Sequence, residues 1–381
     1  MHIVFITQEY PTKGHANGGI GSFVQTLARA CVLKNIKVSV IGMGYSIKTT
    51  VENDNGVNVY RVGRTNIKFG SFIFNSTALN KQIKSIHKLN PIHIIEGAEL
   101  DFAFITKIKS IQYIIRLHGG HHFFSHTLGV PTKKWRAIKE KLSFKKADKF
   151  IAVTNFVGQK TKQLIKLNFE FTCIYNFVDT DLFKPQNDNK RIPFKLIFVG
   201  TVCEKKGIRQ LINALPEIIK KFPVIHLDII GRDWYYENGD SYIEKLKLNI
   251  DAKLINHISF LGVLPTEEVA NNLASAHIAV FPSHMESFGL TLIEAMSMKT
   301  PVLASDIPPF REIIGSNNNV IFCNPHSVDD ITNKLCMMLE DENQLSLQSI
   351  NACKRVENMF NKTNIVEQNI NYYQSIIKKI E

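Results

Sequence analysis

Residues 281–296 read FPSHMESFGLTLIEAM. An apolar run, His277–Phe281, enters a polar turn, Pro282–Gly289, and a helical pattern begins near Leu290 and carries Glu294. Strand, turn and helix start form the local unit of a parallel α/β sheet. The turn offers amides that a helix N-terminus leaves unpaired, which favours an anion there. Gly289 permits close backbone approach. Glu286 precedes the helix and Glu294 lies eight positions on. Two such carboxylates can accept hydrogen bonds from hydroxyls on both sides of a bound phosphate, and a sugar nucleotide has that form. On spacing alone they read equally as a solvated charge and a helix N-terminal charge.

The same alternation runs outward in both directions. His2–Thr7, Lys37–Gly42, His93–Glu96, Tyr113–Leu117 and Lys149–Val153 read as strands, with a first helix over Ser22–Lys34. After Pro185 comes a polar stretch, Gln186–Arg191. Phe194–Gly200 then restarts the series, followed by a helix over Arg209–Phe222 and strands at His226–Gly231, His257–Leu261 and Pro301–Ser305. Two series imply two doubly wound parallel sheets, with ligands beyond the strands' carboxyl ends and a cleft between two facing domains as the natural site. The expected division is 1–185, 186–360 and a final helical segment, 361–381. In that segment Asn364–Ile380 is helical by pattern, and Lys378 and Lys379 suit the negative end of its dipole.

A length of 381 residues suits two domains, and 44% hydrophobic with 21% charged residues is ordinary globular composition. No apolar run is long enough to span a membrane, and the start lacks a basic leader, so a cytoplasmic protein is expected. The six cysteines form no C-x-x-C pair, which points to reduced thiols. A net charge of +12 favours an anionic partner: nucleotide, acidic lipid or nucleic acid.

The central segment resembles the E-x7-E signature of the retaining GT-B glycosyltransferases of family 4. The match covers P-S-x-x-E-S-F-G-L-x-x-I-E-A-M, then P-V-L-A-S-D-I-P with Arg311-Glu312. The resemblance implies two Rossmann-like domains facing a cleft, the donor on the C-terminal one and the acceptor on the N-terminal one, with the last helix crossing back. It implies Glu286 at donor-sugar hydroxyls, Glu294 at the ribose, and the amides of Ser287, Phe288, Gly289 and Leu290 around sugar and phosphate.

Phe198–Gly207, FVGTVCEKKG, is a strand end and loop leading into a helix, and Lys206 there either neutralises a diphosphate or is solvated. In the family this loop often reads G-R-L-x-x-x-K-G. Gly200 and Lys206 match, whereas Thr201 stands where arginine is usual, with Lys205, Arg209 or Arg232 as the available substitutes. Asn17–Val24, NGGIGSFV, lies between the first strand and helix. It fails as a dinucleotide fingerprint because Val24 replaces the last glycine, which weakens a dehydrogenase reading. It resembles the family's glycine-rich loop, with Gly19 and Gly21 as cleft residues. In Ile115–Phe124, IRLHGGHHFF, His118 matches the family histidine that reaches the donor sugar, so Glu286, His118 and Lys206 form the expected catalytic set.

Three further histidines, His121, His122 and His126, raise a zinc alternative without supporting ligand spacing. Glu96 and Glu99, at a strand end, either reach the acceptor or are solvated. Asp179-Thr180-Asp181 spells the D-x-D of a different glycosyltransferase fold, but it lies in YNFVDTDLFKP, similar to the family's approach to its linker. The aspartates read as turn or cap residues, and no metal is expected to be obligatory. Segment 133–149, KKWRAIKEKLSFKKADK, places Trp135, Ile138 and Leu142 at helical spacing among lysines. Its helix either rests on anionic lipid at the inner face of the cell membrane or turns that stripe into the core. No nucleic-acid-binding module is present.

The expected activity is retaining hexosyl transfer from a nucleotide-diphosphate sugar to a glycan or lipid-linked acceptor, in cell-surface polysaccharide synthesis. The alternatives are a GT-B nucleotide-sugar 2-epimerase and an inactive sugar-nucleotide-binding subunit of a membrane assembly.

Overall fold

The computed structural model describes residues 1–12, 18–65, 70–185, 191–315 and 319–377. The chain divides into two units, Met1–Asn176 with Thr363–Glu381, and Phe177–Lys362. The division falls upstream of the polar stretch, of which 186–190 lie outside the described residues, as do Asn17, Lys378 and Lys379.

The first unit is built on β1 (His2–Ile6), β2 (Lys37–Met43), β3 (Thr50–Asp54), β4 (Val57–Val62), β5 (Ile94–Gly97), β6 (Gln112–Leu117), β7 (Lys149–Ala152) and β8 (Thr172–Cys173). They form one sheet in the order β3-β4-β2-β1-β5-β6-β7-β8. Every pairing is parallel except β3 with β4. All five residues of β1 are buried, the pattern of a strand covered on both faces. Its described helices are α1 (Gly19–Leu33), α2 (Ser71–Leu89), α3 (His121–Thr127), α4 (Lys134–Lys146), α5 (Asn155–Ile165) and the chain's final helix, Lys362–Ile377.

That final helix closes the first unit through a buried polar cluster. Arg116 donates through Nε to Glu96 Oε1 at 2.7 Å and through Nη2 to Asn369 Oδ1 at 2.5 Å. Tyr373 Oη donates to Glu96 Oε2 at 2.7 Å. Glu96 is therefore neither solvated nor placed for an acceptor: it is a core ion-pair partner, 3% exposed. Burying such a pair costs desolvation, which the added hydrogen bonds offset.

Two other features depart from the sequence reading. β3 and β4 form an antiparallel hairpin joined by Asn55-Gly56, both at positive φ (50° and 88°). α1 begins at Gly19, so Gly19 and Gly21 lie in its first turn rather than in a loop. The reason for Gly21 is steric: a Cβ there would meet the Glu9 carbonyl oxygen at 1.7 Å.

The second unit carries β9 (Lys195–Val199), β10 (His226–Ile230), β11 (Ile258–Gly262), β12 (Ile278–Phe281), β13 (Val302–Ser305) and β14 (Ile321–Cys323), ordered β11-β10-β9-β12-β13-β14. All its pairings are parallel. Its described α-helices are α6 (Ile208–Lys221), α7 (Tyr242–Lys247), α8 (Thr266–Ser275), α9 (Leu290–Ser297), α10 (Pro308–Ile314), α11 (Val328–Glu340) and α12 (Glu342–Met359). In α6, Ile208, Leu211, Ile212, Leu215 and Ile218 recur at helical spacing and are buried, packed on the sheet and α11. Each contributes about 1.5–3 kcal/mol by leaving water. This core fixes the loops at the carboxyl ends of β9 and β12. Among the described residues no helix is long and apolar enough to cross a membrane.

Candidate active site

β9 and β12 are neighbours in the second sheet, so their following loops leave the same edge side by side. Two backbone contacts join those loops. The His284 amide donates to the Lys205 carbonyl at 2.9 Å. Gly207, at φ 70°, lies so close to Pro282 that a Cβ would sit 1.9 Å from its carbonyl oxygen, so only glycine fits both the space and the conformation.

The joined loops bring Lys206 to Glu286. The Lys206 ammonium ion-pairs with Glu286 Oε1, and Ser283 Oγ donates to the same oxygen at 3.1 Å. Both partners of the pair are largely buried, with side chains 19% and 13% exposed. Gly289 caps α9 at φ 100°, against the Phe310 ring. Ser287 and Leu290 are half-buried beside it. The Phe288 ring is core, packed edge-on against Phe360 at 5.8 Å, so its backbone alone belongs to the turn. The first amides of α9 therefore start beside the Lys206–Glu286 pair, favourable surroundings for an anion.

Glu294 lies inside α9. Among the described residues its carboxylate has no hydrogen-bond partner, and burial pushes it up to about 7. An unpartnered carboxyl in that position suits a ligand hydroxyl.

Thr201 is half-buried, and Arg232, just beyond β10, donates through Nε to Thr201 Oγ1 at 3.3 Å. A guanidinium thus stands at the threonine. Arg209 is turned away, paired with Glu204 at 2.6 Å. Gly200, at φ 154°, ends β9, and its carbonyl is approached so closely by Gly231 that a Cβ on Gly231 would lie 1.8 Å away. Of the three candidate substitutes Arg232 is the one that meets Thr201, and Ser283 is a further partner of Glu286. The three-residue spacing from Ser283 to Glu286 was its available signal.

In the first unit, His118 follows β6 and is buried against Phe23, ring centroids 6.2 Å apart. Burial, with the Arg116 cation adding to it, holds its imidazole down to about 3, so it is neutral at ordinary pH. Glu99 is buried rather than solvated, and its Oε1 has no hydrogen-bond partner among the described residues. The other histidines have local partners. His122 Nδ1 meets Glu140 Oε2 at 2.5 Å, and His121 Nε2 accepts from the Lys133 amide at 2.9 Å. Among the described residues no group of three or more His, Cys, Asp or Glu is placed to hold a metal ion.

Asp179 and Asp181 are both paired to Lys362, the Asp179 contact at 2.8 Å, and Asp179 shapes a turn through its carbonyl and side chain. On α4, Trp135, Ile138 and Leu142 are 54%, 50% and 37% exposed, while Glu140, Ser143 and Phe144 are buried. The core alternative for that stripe is thereby overturned, because the helix turns the opposite face inward. Lys149 belongs to β7, not to the helix.

Comparison with known proteins bears on the whole chain. A family model described as glycosyl transferases group 1 matches residues 179–355, and one described as glycosyltransferase family 4 matches residues 17–182. An uncharacterized glycosyltransferase of Methanocaldococcus jannaschii is 26% identical over 398 residues, 98% of each chain. Sucrose-phosphate synthase of Thermosynechococcus elongatus has a TM-score of 0.86 at 19% identity, covering 99% of each chain. HepE of Anabaena, solved with UDP and glucose, has a TM-score of 0.77 at 19% identity, covering 98% of this chain and 100% of its own. Those two structures share the fold. With two models laid end to end along the chain and the E-x7-E loop folded at a helix start, the chain belongs to the GT-B glycosyltransferases of the group 1 and family 4 type.

Proposed function

We propose that the protein is a retaining hexosyltransferase whose second unit holds a nucleotide-diphosphate sugar at the loops after β9 and β12. The Lys206–Glu286 pair beside the start of α9 carries this reading. In it the diphosphate meets Lys206, Arg232 and the first amides of α9, the sugar hydroxyls meet Glu286, and the ribose meets Glu294. His118, neutral and buried, and Gly19 and Gly21 at the start of α1 are the site residues we propose for the first unit. HepE, solved with UDP and glucose on the same fold, supports a uridine nucleotide as the first donor to test.

The sequence assigns no pair of carboxylates as nucleophile and general acid, so front-face transfer is the mechanism we favour. The bond from the anomeric carbon to the phosphate oxygen breaks while the acceptor oxygen bonds on the same face. The acceptor's proton passes to the departing phosphate oxygen. Stabilising that oxygen is the main electrostatic task, and Lys206, Arg232 and the helix amides perform it without a metal. The acceptor belongs to the N-terminal unit. The exposed Ile138 and Leu142 among the lysines of α4 bring the protein to the anionic inner face of the cell membrane, for polysaccharide synthesis.

The test is a thermal-shift screen with UDP-, GDP- and ADP-sugars, since a true donor stabilises the folded protein by mass action. Anomer-resolved product analysis follows with the best donor. An inverted product removes the retaining mechanism. A product epimerised at C2 from donor alone makes the protein an epimerase, and binding without any turnover makes it an inactive subunit.

A further inference from the structure

The first unit contains a groove of about 360 Å³ at the carboxyl ends of β1 and β2. It is lined by Ile6, Met43 and Leu100, by Phe72 and Leu79 of α2, and by Phe104 and Lys139, the latter on α4. In open α/β sheets this edge is where ligands sit.

Three aromatic rings cluster at one side of the groove. Phe72 lies 5.4 Å from Phe104 and 5.9 Å from Trp135, and Phe104 stacks on Trp135 at 6.0 Å and 27°. Phe72 and Trp135 are 48% and 54% exposed, and the adjoining Ile73 and Phe74 are 55% and 56% exposed. Contiguous exposed apolar surface of this kind marks a binding face.

The polar part of the groove is cationic. Arg64 and Lys139 both line it, and among the described residues neither forms an ion pair. Lys139 Nζ sits over the Phe104 ring at 5.7 Å, which joins the charged part to the aromatic part. The acid lining the groove is Asp101, which accepts from the Ala98 amide at 2.7 Å; burial pushes its carboxyl up to about 7, and the Lys139 charge nearby pulls it back down.

We infer that this groove binds the acceptor, and that the acceptor is an anionic amphiphile. Its apolar chain lies on Phe72, Phe104 and Trp135, and its phosphate-type group lies between Arg64 and Lys139. The inference rests on the transferase reading for the word acceptor; the binding chemistry rests on the groove alone.

The protein has two tryptophans, so Trp234→Phe leaves Trp135 as the reporter. The full chain with that substitution is titrated with decyl phosphate below micelle formation, and Trp135 emission is followed. Emission should move to the blue and saturate. Arg64→Ala with Lys139→Ala should raise the half-saturating concentration about tenfold, the loss of roughly one charge-assisted contact. Phe72→Ser should abolish the shift while far-ultraviolet circular dichroism stays unchanged.

Three results overturn the proposal. One is an equal response to decyl maltoside, which would make the face merely apolar. Another is a response to vesicles of phosphatidylglycerol but none to monomeric decyl phosphate, which would make it a membrane-docking surface. The last is an unchanged titration in the Arg64 and Lys139 variant. UDP binding is measured on the same samples. Its failure with a normal decyl phosphate response would sink the donor assignment and leave the groove standing.

Discussion

Lys206, on the loop after β9, is ion-paired with Glu286, eighty residues later on the turn after β12. In the proposed site a sugar hydroxyl that reaches Glu286 arrives beside Lys206, the cation we assign to the phosphate. Glu286→Ala should lower kcat on the order of a hundredfold or more, and Lys206→Ala should lower kcat/KM for the donor by a similar factor. Initial rates of UDP release at saturating acceptor measure both. Wild-type rates in both variants would show that the chemistry lies elsewhere.

Arg232 stands at Thr201, where the family usually places arginine. Arg232→Ala should raise KM for the donor about tenfold with little change in stability, because the side chain is exposed. Adding Thr201→Arg to that variant should restore most of the loss. Failure of Arg232→Ala to move KM would leave the threonine uncompensated.

Burial pushes the Glu294 carboxyl up to about 7. In the proposed site a ribose hydroxyl donates to this carboxylate, so donor binding would favour the ionised form. Affinity for UDP-glucose should tighten as pH rises through about 7, and Glu294→Gln should flatten that dependence. Calorimetric titration at several pH values decides it; parallel profiles for the two proteins would remove Glu294 from the nucleotide.

Glu99 gives a stability prediction with a defined sign. Burial raises its carboxyl from 4.5 to about 8. Between those values the native state holds a proton that the unfolded chain has released. Its contribution is thus fully present below 4.5 and is lost as pH rises through about 8. Glu99→Gln should be more stable relative to wild type at pH 8.5 than at pH 5, by on the order of a few kcal/mol. Urea denaturation at both pH values tests this, and an equal difference at each would contradict it.

The polar cluster on the final helix is testable in the same way. Tyr373→Phe should destabilise the first unit by about 1–3 kcal/mol, since it removes the shorter of the two hydrogen bonds to Glu96 Oε2, and Arg116→Met by about 3–5 kcal/mol, since it leaves the buried Glu96 carboxylate without its cation. Unfolding curves that match wild type would show that water replaces these groups.

Much of this architecture was legible because buried parallel strands write themselves as apolar runs: β1, β2, β9 and β12 each lie within one residue or so of the periodic reading. The β3–β4 hairpin was missed although Asn55-Gly56 is a strong two-residue hairpin signal. Its strands are polar and alternate, so they lack the apolar run that marks the others. The pairing of Lys206 with Glu286 depends on β9 and β12 being sheet neighbours, which no local pattern encodes. Arg232 reaches Thr201 for the same reason, from the adjacent strand β10. The face that α4 turns outward was ambiguous because lysine stems and aromatic rings occur all round that helix.

The Glu96–Arg116 pair and the residues that complete it, Asn369 and Tyr373, emerge from the ribosome at opposite ends of synthesis. The first half of the chain must wait through translation of the entire second half with its central charges only partly satisfied. A nascent chain stalled before the last helix should therefore be bound by chaperones and cut by proteases within its first half. Synthesis of Lys362–Ile377 is then the event that seals the earlier-made domain.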